Sequence, residues 1–386
     1  MPLERSDLEQ RIASQGKGVC MKVAIVHYWL VNMRGGEKVL EALLDMFPQA
    51  DIYTHVYVPE AVSEKIRSHR VFTTRISRLP LAAKFYQKYM PLMPDALKEL
   101  DLSDYDLIIS SESGPAKGVV PNPDAFHLCY CHSPMRYLWD MYHEYFRTAS
   151  GFVRFFMKKL VPSLRLWDVM SANLVDCFVA NSHYVAKRVN RYYNRPAEIV
   201  YPPVAIDKFA SIQRNPKDYY LFFGQLVGYK RADLALEACV RSGRKLVVVG
   251  EGGSAKERRR YEASGLVTFA GRVNHQQLEE YMAGAKALLF PGVEDFGIIP
   301  VEANAAGCPV IAYRKGGAID SIKEGVTGIF FDQQTPESLI QAMTRFEALP
   351  SHTFADRSKF AAHVEQFSQA AFTAKIQKLV DERKRR

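Results

Sequence analysis

Two carboxylates, Glu294 and Glu302, bracket the stretch Glu294-Asp295-Phe296-Gly297-Ile298-Ile299-Pro300-Val301-Glu302. The apolar run before it, 287–290, reads as a strand that ends in Pro291-Gly292. Pro300 belongs in a first helical turn, so the spacing predicts a helix that starts near Gly297, Ile298 or Ile299. Amides at the start of a helix have no partner inside it, so those near Gly297 and Ile298 form an anion site. An ionised carboxylate only accepts hydrogen bonds, so acids on either side of that site suit the hydroxyls of a sugar or a ribose. The plainer alternative is a pair of solvated acids drawn to the helix start by its dipole. Spacing alone leaves both open.

Four other segments carry side chains of the right type. Arg34-Gly35-Gly36-Glu37 follows the apolar run 23–27, and its glycines let a ligand approach the backbone at a helix start. His132 stands at the end of run 127–131, in Cys131-His132-Ser133-Pro134-Met135-Arg136-Tyr137-Leu138-Trp139. Phe223-Gly224-Gln225 leads to the cationic pair Lys230-Arg231, and Gly271-Arg272-Val273 follows run 267–270. Each has an ordinary reading beside the chemical one: a tight turn, a structural histidine, a solvated basic pair, a plain loop. Three apparent motifs are set aside. Asp104-Tyr105-Asp106 precedes a strand instead of ending one, so it reads as a strand-entry turn. Cys129, Cys131 and His132 have no second ligand pair at zinc spacing; the cysteines read as core residues and no metal is expected. Gly250-Glu251-Gly252-Gly253 has Ala255 at the third glycine position of a dinucleotide fingerprint, which disfavours a nicotinamide oxidoreductase.

Short apolar runs alternate with helical patterns along the chain. Strands are expected at 23–27, 51–56, 106–110, 127–131 and 177–180, with helices such as 37–47 and 184–193. The pattern repeats with strands at 220–223, 245–249, 267–270, 287–290, 310–312 and 328–331, and helices at 231–241, 276–283 and 336–346. Such alternation predicts an α/β fold of βαβ units with parallel sheets covered on both faces. Pro202 and Pro203 fit neither a central strand nor a helix interior, so a linker is placed near 201–208. The expected units are 21–203 and 208–364, facing each other across a cleft. The tail from about 365 to 386 is helical in pattern. It is expected to cross back to the first unit on a face formed by Phe367, Phe372, Ile376 and Leu379. Residues 1–20 are polar and read as a disordered extension ahead of a buried first strand.

The 386 residues are 48% hydrophobic and 24% charged, an ordinary globular mix, and carry a formal net charge of +9. This excludes collagen-like, coiled-coil and largely disordered chains and favours anionic partners. Six cysteines without regular spacing fit a reducing, cytoplasmic setting. Two segments combine basic and aromatic residues without a single acid: 65–94 holds seven Lys/Arg and 146–167 holds five. Both are candidates for an anionic membrane surface at its inner, cytoplasmic face, against the alternative of aromatic core faces with charged solvent sides. Nucleic acid is not expected, since no binding module for it is present.

The two acids after a strand, together with the four segments in this order, resemble the nucleotide-sugar glycosyltransferases of family 4. The resemblance runs from residue 21 to about 385. It implies a GT-B fold: two Rossmann-like α/β domains facing a cleft, with a C-terminal helix crossing back to the first. It also implies a retaining, metal-independent hexosyltransferase with no separate cofactor. By the resemblance, His132, Glu294 and Lys230 are the catalytic group. The donor is held by Gly35, Gly36, Gln225, Arg231, Arg272, Val273, Phe296, Gly297, Ile298 and Glu302, with Arg136 and Glu37 on the acceptor side. Within it Lys230 and the glycine amides hold the diphosphate, Glu302 the ribose, Glu294 and His132 the transferred sugar. The sequence departs from the family at Gln225, where a phosphate-binding arginine is usual, and Arg231 is the expected substitute. The wording His132-Ser133-Pro134-Met135-Arg136-Tyr137-Leu138-Trp139 resembles bacterial mannosyltransferases of O-antigen and capsule pathways. That implies GDP-mannose as donor and a lipid-linked or oligosaccharide acceptor. A UDP-sugar transferase and a UDP-sugar 2-epimerase of the same fold are the alternatives.

Overall fold

The computed structural model describes residues 21–350 and 352–384. The expected extension, residues 1–20, lies outside them. Among the described residues thirteen strands form two sheets, and every pairing in both is parallel. The first sheet holds β1 (Val23–His27), β2 (Asp51–Thr54), β3 (Val71–Thr73), β4 (Leu107–Glu112), β5 (Phe126–Cys131), β6 (Cys177–Ala180) and β7 (Glu198–Ile199). Their order is β3-β2-β1-β4-β5-β6-β7. The second holds β8 (Tyr220–Phe223), β9 (Leu246–Val249), β10 (Val267–Gly271), β11 (Leu288–Phe290), β12 (Val310–Tyr313) and β13 (Gly328–Phe331). Their order is β10-β9-β8-β11-β12-β13.

The central strands are buried on both faces, which is why their sequences read as continuous apolar runs. The edge strands β3 and β7 escape sequence reading because they are short and exposed, with almost no pattern to detect. In each sheet the chain direction of winding reverses once, between β1 and β4 and between β8 and β11. Ligands of open α/β sheets bind beyond the carboxyl ends of strands at such a reversal. His27, Glu112 and Cys131 end β1, β4 and β5; Phe223 and Phe290 end β8 and β11.

The tail crosses between domains, with Phe372 and Ile376 of the expected face in the first core and Phe367 in the second. Phe367 precedes the final helix Gln369–Lys384 and is buried in the second core with Phe296. Phe372, Ile376 and Val380 are buried in the first core, where Phe372 packs edge-on to Tyr130 at 5.7 Å. Residues four apart share a helical face, so Val380 completes that stripe and Leu379 sits only at its margin. Phe372 is 1% exposed. Phe372→Ala is expected to cost about 3–5 kcal/mol of stability in chemical denaturation. A loss below about 1 kcal/mol would mean the tail is not anchored there.

Candidate active site

The first half of the site is built at the ends of β1, β4 and β5. The helix Gly35–Met46 starts directly after the β1 loop. Gly36 is required because any side chain there would collide with the Tyr28 hydroxyl. Glu37, expected on the acceptor side, is buried instead: it is 1% exposed and faces inward. One of its oxygens accepts the Arg34 backbone N–H at 2.8 Å, and the other lies 3.6 Å from His27 Nε2. Burial alone would raise its carboxyl, but the His27 imidazole and backbone N–H groups outweigh that and hold it below the usual range. His132 sits at the end of β5 with its Nε2 bonded to Ser111 Oγ at 2.8 Å. Burial pushes its imidazole down to about 3, so the ring is neutral at physiological pH. The cysteines of β5 are buried and free.

Behind His132 lies a fully buried ionic cluster. Lys117 bonds both Glu112 and Asp168, and Asp168 also accepts from Trp139 Nε1 at 2.7 Å and Tyr193 at 3.0 Å. Glu112 takes the Ala116 and Lys117 N–H groups at 2.9 and 2.8 Å. Its main-chain oxygen receives the His132 N–H at 2.8 Å, which fixes the His132 segment to β4.

The second half lies at the ends of β8 and β11. The helix Ile298–Ala305 begins where expected, with Gly297 at φ 84° as its cap. Lys230 Nζ lies 3.0 Å from Glu294 Oε1. Gly224, at φ 144°, leaves room for the Lys230 side chain to fold back over it. Glu302 is partly buried one turn into the helix, and burial pushes its carboxyl up to about 7 against the pull of Lys230. Gln225 is exposed. Arg231, the expected substitute, has a left-handed backbone at φ 53°, and its guanidinium pairs with Asp233 at 3.0 Å. Phe296 is 4% exposed and stacks on Tyr201 at 5.7 Å, with its backbone packed against Gly317, so it is a core anchor instead of a ligand contact. Arg272 is exposed in the turn after β10, while Val273 packs on the second core.

The two halves meet. A methyl group on Gly35 would lie 3.2 Å from Ile298 Cδ1, so the two glycine-rich helix starts face each other across the cleft. Sequence reading missed the residues that hold them there. Arg188 bonds Asp295 and reaches Asp140 at 3.3 Å, and Arg136 lies 3.3 Å from Asp140 and 3.8 Å from Asp295. Arg136, expected on the acceptor side, is thus a partly buried member of the domain interface. Asp320 accepts the His183 N–H at 3.1 Å, bonds the His183 ring and receives the Tyr201 hydroxyl at 3.2 Å. No motif marked Arg188, His183 or Asp320, since each is an unremarkable polar residue on a helix. Among the described residues, no group of three or more His, Cys, Asp or Glu side chains is placed to hold a metal.

Known proteins share this fold. The model of Glycosyltransferase Family 4 matches residues 33–208 and that of Glycosyl transferases group 1 matches 205–362, so the two meet at the linker and together span both domains. The chain belongs to family 4 of the GT-B glycosyltransferases. A D-inositol 3-phosphate glycosyltransferase of Streptomyces scabiei is 27% identical over 252 residues, 56% of each chain. Human alpha-1,3/1,6-mannosyltransferase ALG2 is 26% identical over 263 residues, 58% of this chain and 63% of its own. The chain thus spans a little over half the length of these curated relatives. The fold matches Anabaena Alr3699/HepE in complex with UDP, with a TM-score of 0.68 at 15% identity, covering 94% of this chain and 100% of that one. It also matches WaaG, a glycosyltransferase of lipopolysaccharide biosynthesis, with a TM-score of 0.64 at 16% identity and coverages of 92% and 98%.

In this family 4 protein the raised carboxyl of Glu302 has a measurable consequence. Its folded value lies above the ordinary glutamate value, so the unfolded chain gives up the proton first as pH rises. Stability is therefore lost between about pH 4.5 and 7. Glu302→Gln removes that loss. The variant is expected to gain about 1–3 kcal/mol relative to wild type between pH 5 and pH 8. An offset that is the same at both pH values would show that Glu302 is not held in a proton-retaining site.

Proposed function

We propose that the protein is a retaining hexosyltransferase that moves mannose from GDP-mannose to a lipid-linked or oligosaccharide acceptor in cell-surface polysaccharide biosynthesis. The observation that carries this is the pair of opposed helix starts, Gly35-Gly36 and Gly297-Ile298, with Lys230 beside the second. Amides and a cation placed on both sides of a cleft suit a diphosphate. They stabilise the charge that develops on it as the sugar leaves, the electrostatic contribution that usually dominates. Glu302 takes the ribose hydroxyls, and Glu294 and His132 take the transferred sugar. The leaving phosphate oxygen then receives the proton of the acceptor hydroxyl on the same face, so the sugar keeps its anomeric configuration. No metal or separate cofactor has a role in this reading, and the nucleotide sugar is a substrate.

The mannose assignment is supported by the His132–Trp139 wording and by the mannosyltransferase name of the human relative. The structural relative's complex with UDP makes a UDP-sugar the competing donor. A panel of GDP-, UDP- and ADP-sugars read by melting temperature separates these. GDP-mannose at about 100 times its Kd should stabilise by about 2.7 kcal/mol. Glu302→Ala is expected to weaken GDP binding by about 10- to 100-fold, the value of one charge-assisted hydrogen bond. Glu294→Ala should lower turnover without weakening GDP, because Lys230 loses only a competing carboxylate. Equal loss of GDP affinity in both variants would reverse the two roles.

The acceptor is proposed to be presented at a membrane, with the protein peripheral on its cytoplasmic face. No described helix is long and apolar enough to cross one. Of the two basic segments, 146–167 carries the proposal. The helix Gly151–Ser171 exposes Phe152 (75%), Phe155 and Phe156, and among the described residues Arg147, Arg154, Lys158 and Lys159 have no acidic partner. In 65–94 three of the seven cations are already spent: Lys65, Arg70 and Arg75 pair with Asp45, Asp51, Asp95 and Glu99, and Tyr86 packs on Trp29. Exposed aromatics among unpaired cations suit an anionic bilayer surface. Phe152→Ser with Phe155→Ser is expected to abolish co-flotation with phosphatidylglycerol vesicles and leave the melting temperature unchanged. Undiminished flotation would remove this helix from the contact.

A further inference from the structure

The carboxyl ends of β1, β4 and β5 bring three side chains into contact, with a fourth behind them. Ser111 Oγ lies 2.9 Å from His27 Nδ1 and 2.8 Å from His132 Nε2. A serine hydroxyl has one proton and can give it to only one of these nitrogens; the other nitrogen must donate its own N–H to the oxygen. Glu37 decides which. Its Oε2 is occupied by the Arg34 N–H, and its Oε1 faces His27 Nε2 at 3.6 Å. That nitrogen is buried and meets no hydrogen-bond partner among the described residues. A carboxylate facing it draws the imidazole proton to Nε2. His27 Nδ1 is then bare and takes the Ser111 proton. The Ser111 oxygen takes the Nε2–H of His132, and His132 Nδ1 is left with a lone pair and no partner among the described residues.

We propose that His132 meets the transferred sugar as an obligate hydrogen-bond acceptor, so that the site selects a sugar hydroxyl and rejects a carboxylate at the same position. The selectivity rests on reading the cleft as the donor-sugar site; the proton arrangement does not. Burial keeps a second proton off His132, and the rings of Tyr28 and Tyr130 flank it at 6.4 and 5.1 Å. Glu37, His27 and Ser111 are positioning residues: they touch no substrate and set which nitrogen of His132 carries the proton. A protonated His27 would run the same chain in reverse and make His132 a donor.

The full chain labelled with 15N-histidine reports the tautomer directly, and loss of one signal pair in His132→Gln assigns it. The expected spectrum has His132 protonated at Nε2 and unprotonated at Nδ1. Glu37→Gln can offer an amide N–H to His27 Nε2 and keep accepting from Arg34, so it should move the His132 proton to Nδ1. In Ser111→Ala the connection is cut, and adding Glu37→Gln should change nothing further at His132. A wild-type His132 protonated at Nδ1 overturns the proposal, and so does a tautomer that ignores Glu37→Gln in a folded variant. The wild-type spectrum decides the first point even if the variants fail to fold. Wild type should also bind GDP-mannose at least about tenfold more tightly than GDP-mannuronate, the scale of one unpaired buried acceptor. Equal affinity overturns the selectivity. Binding of neither overturns the donor-site reading and the selectivity with it, while the spectra still judge the proton arrangement.

Discussion

Four consecutive residues after β11 hold the molecule's working geometry together, and each faces a different way. Glu294 meets Lys230 on the cleft side. Asp295 reaches Arg188 of the other domain, and its carbonyl takes the Ser182 hydroxyl. Phe296 is buried between Tyr201 and Phe367. Gly297 turns through a left-handed conformation and opens the helix Ile298–Ala305. One loop therefore sets the acid paired with Lys230, the grip between domains, the anchor in the core and the start of the proposed anion site.

Charge balance explains how so many cations are held close together. Cations gathered for an anionic ligand repel one another, and burial without partners is costly. Here the gathered cations are matched by acids: Lys230 by Glu294, Arg231 by Asp233, Arg188 and Arg136 by Asp140 and Asp295. Two of these acids sit on the opposite domain from a cation they serve or beside the ligand space itself. In the proposed reading a diphosphate competes with Glu294 for Lys230, so ligand binding is coupled to that carboxylate.

Much of this was legible in the sequence where it depends on local pattern. The central strands stood out because burial on both faces demands uninterrupted apolar residues, and the Ile298–Ala305 helix start was marked by Pro300. The parts that were not legible depend on contacts between distant segments. His27, Ser111 and Glu37 lie on separate elements and only meet at the ends of β1 and β4, so no spacing reveals them. Arg231 is next to Lys230 in the sequence, but its left-handed backbone and its pairing with Asp233 are visible only in the structure. Val380 replaced Leu379 on the crossing helix because the buried stripe begins at Phe372, after the turn that Phe367 terminates.

The central claim is that the opposed helix starts form one diphosphate site. A crystal structure of the protein with GDP tests it most directly. The account predicts the two phosphates between the Gly35-Gly36 and Gly297-Ile298 amides, with Lys230 turned from Glu294 onto a phosphate oxygen and Glu302 on the ribose. Phosphates bound away from both helix starts, or Lys230 still paired with Glu294 in the complex, would contradict it.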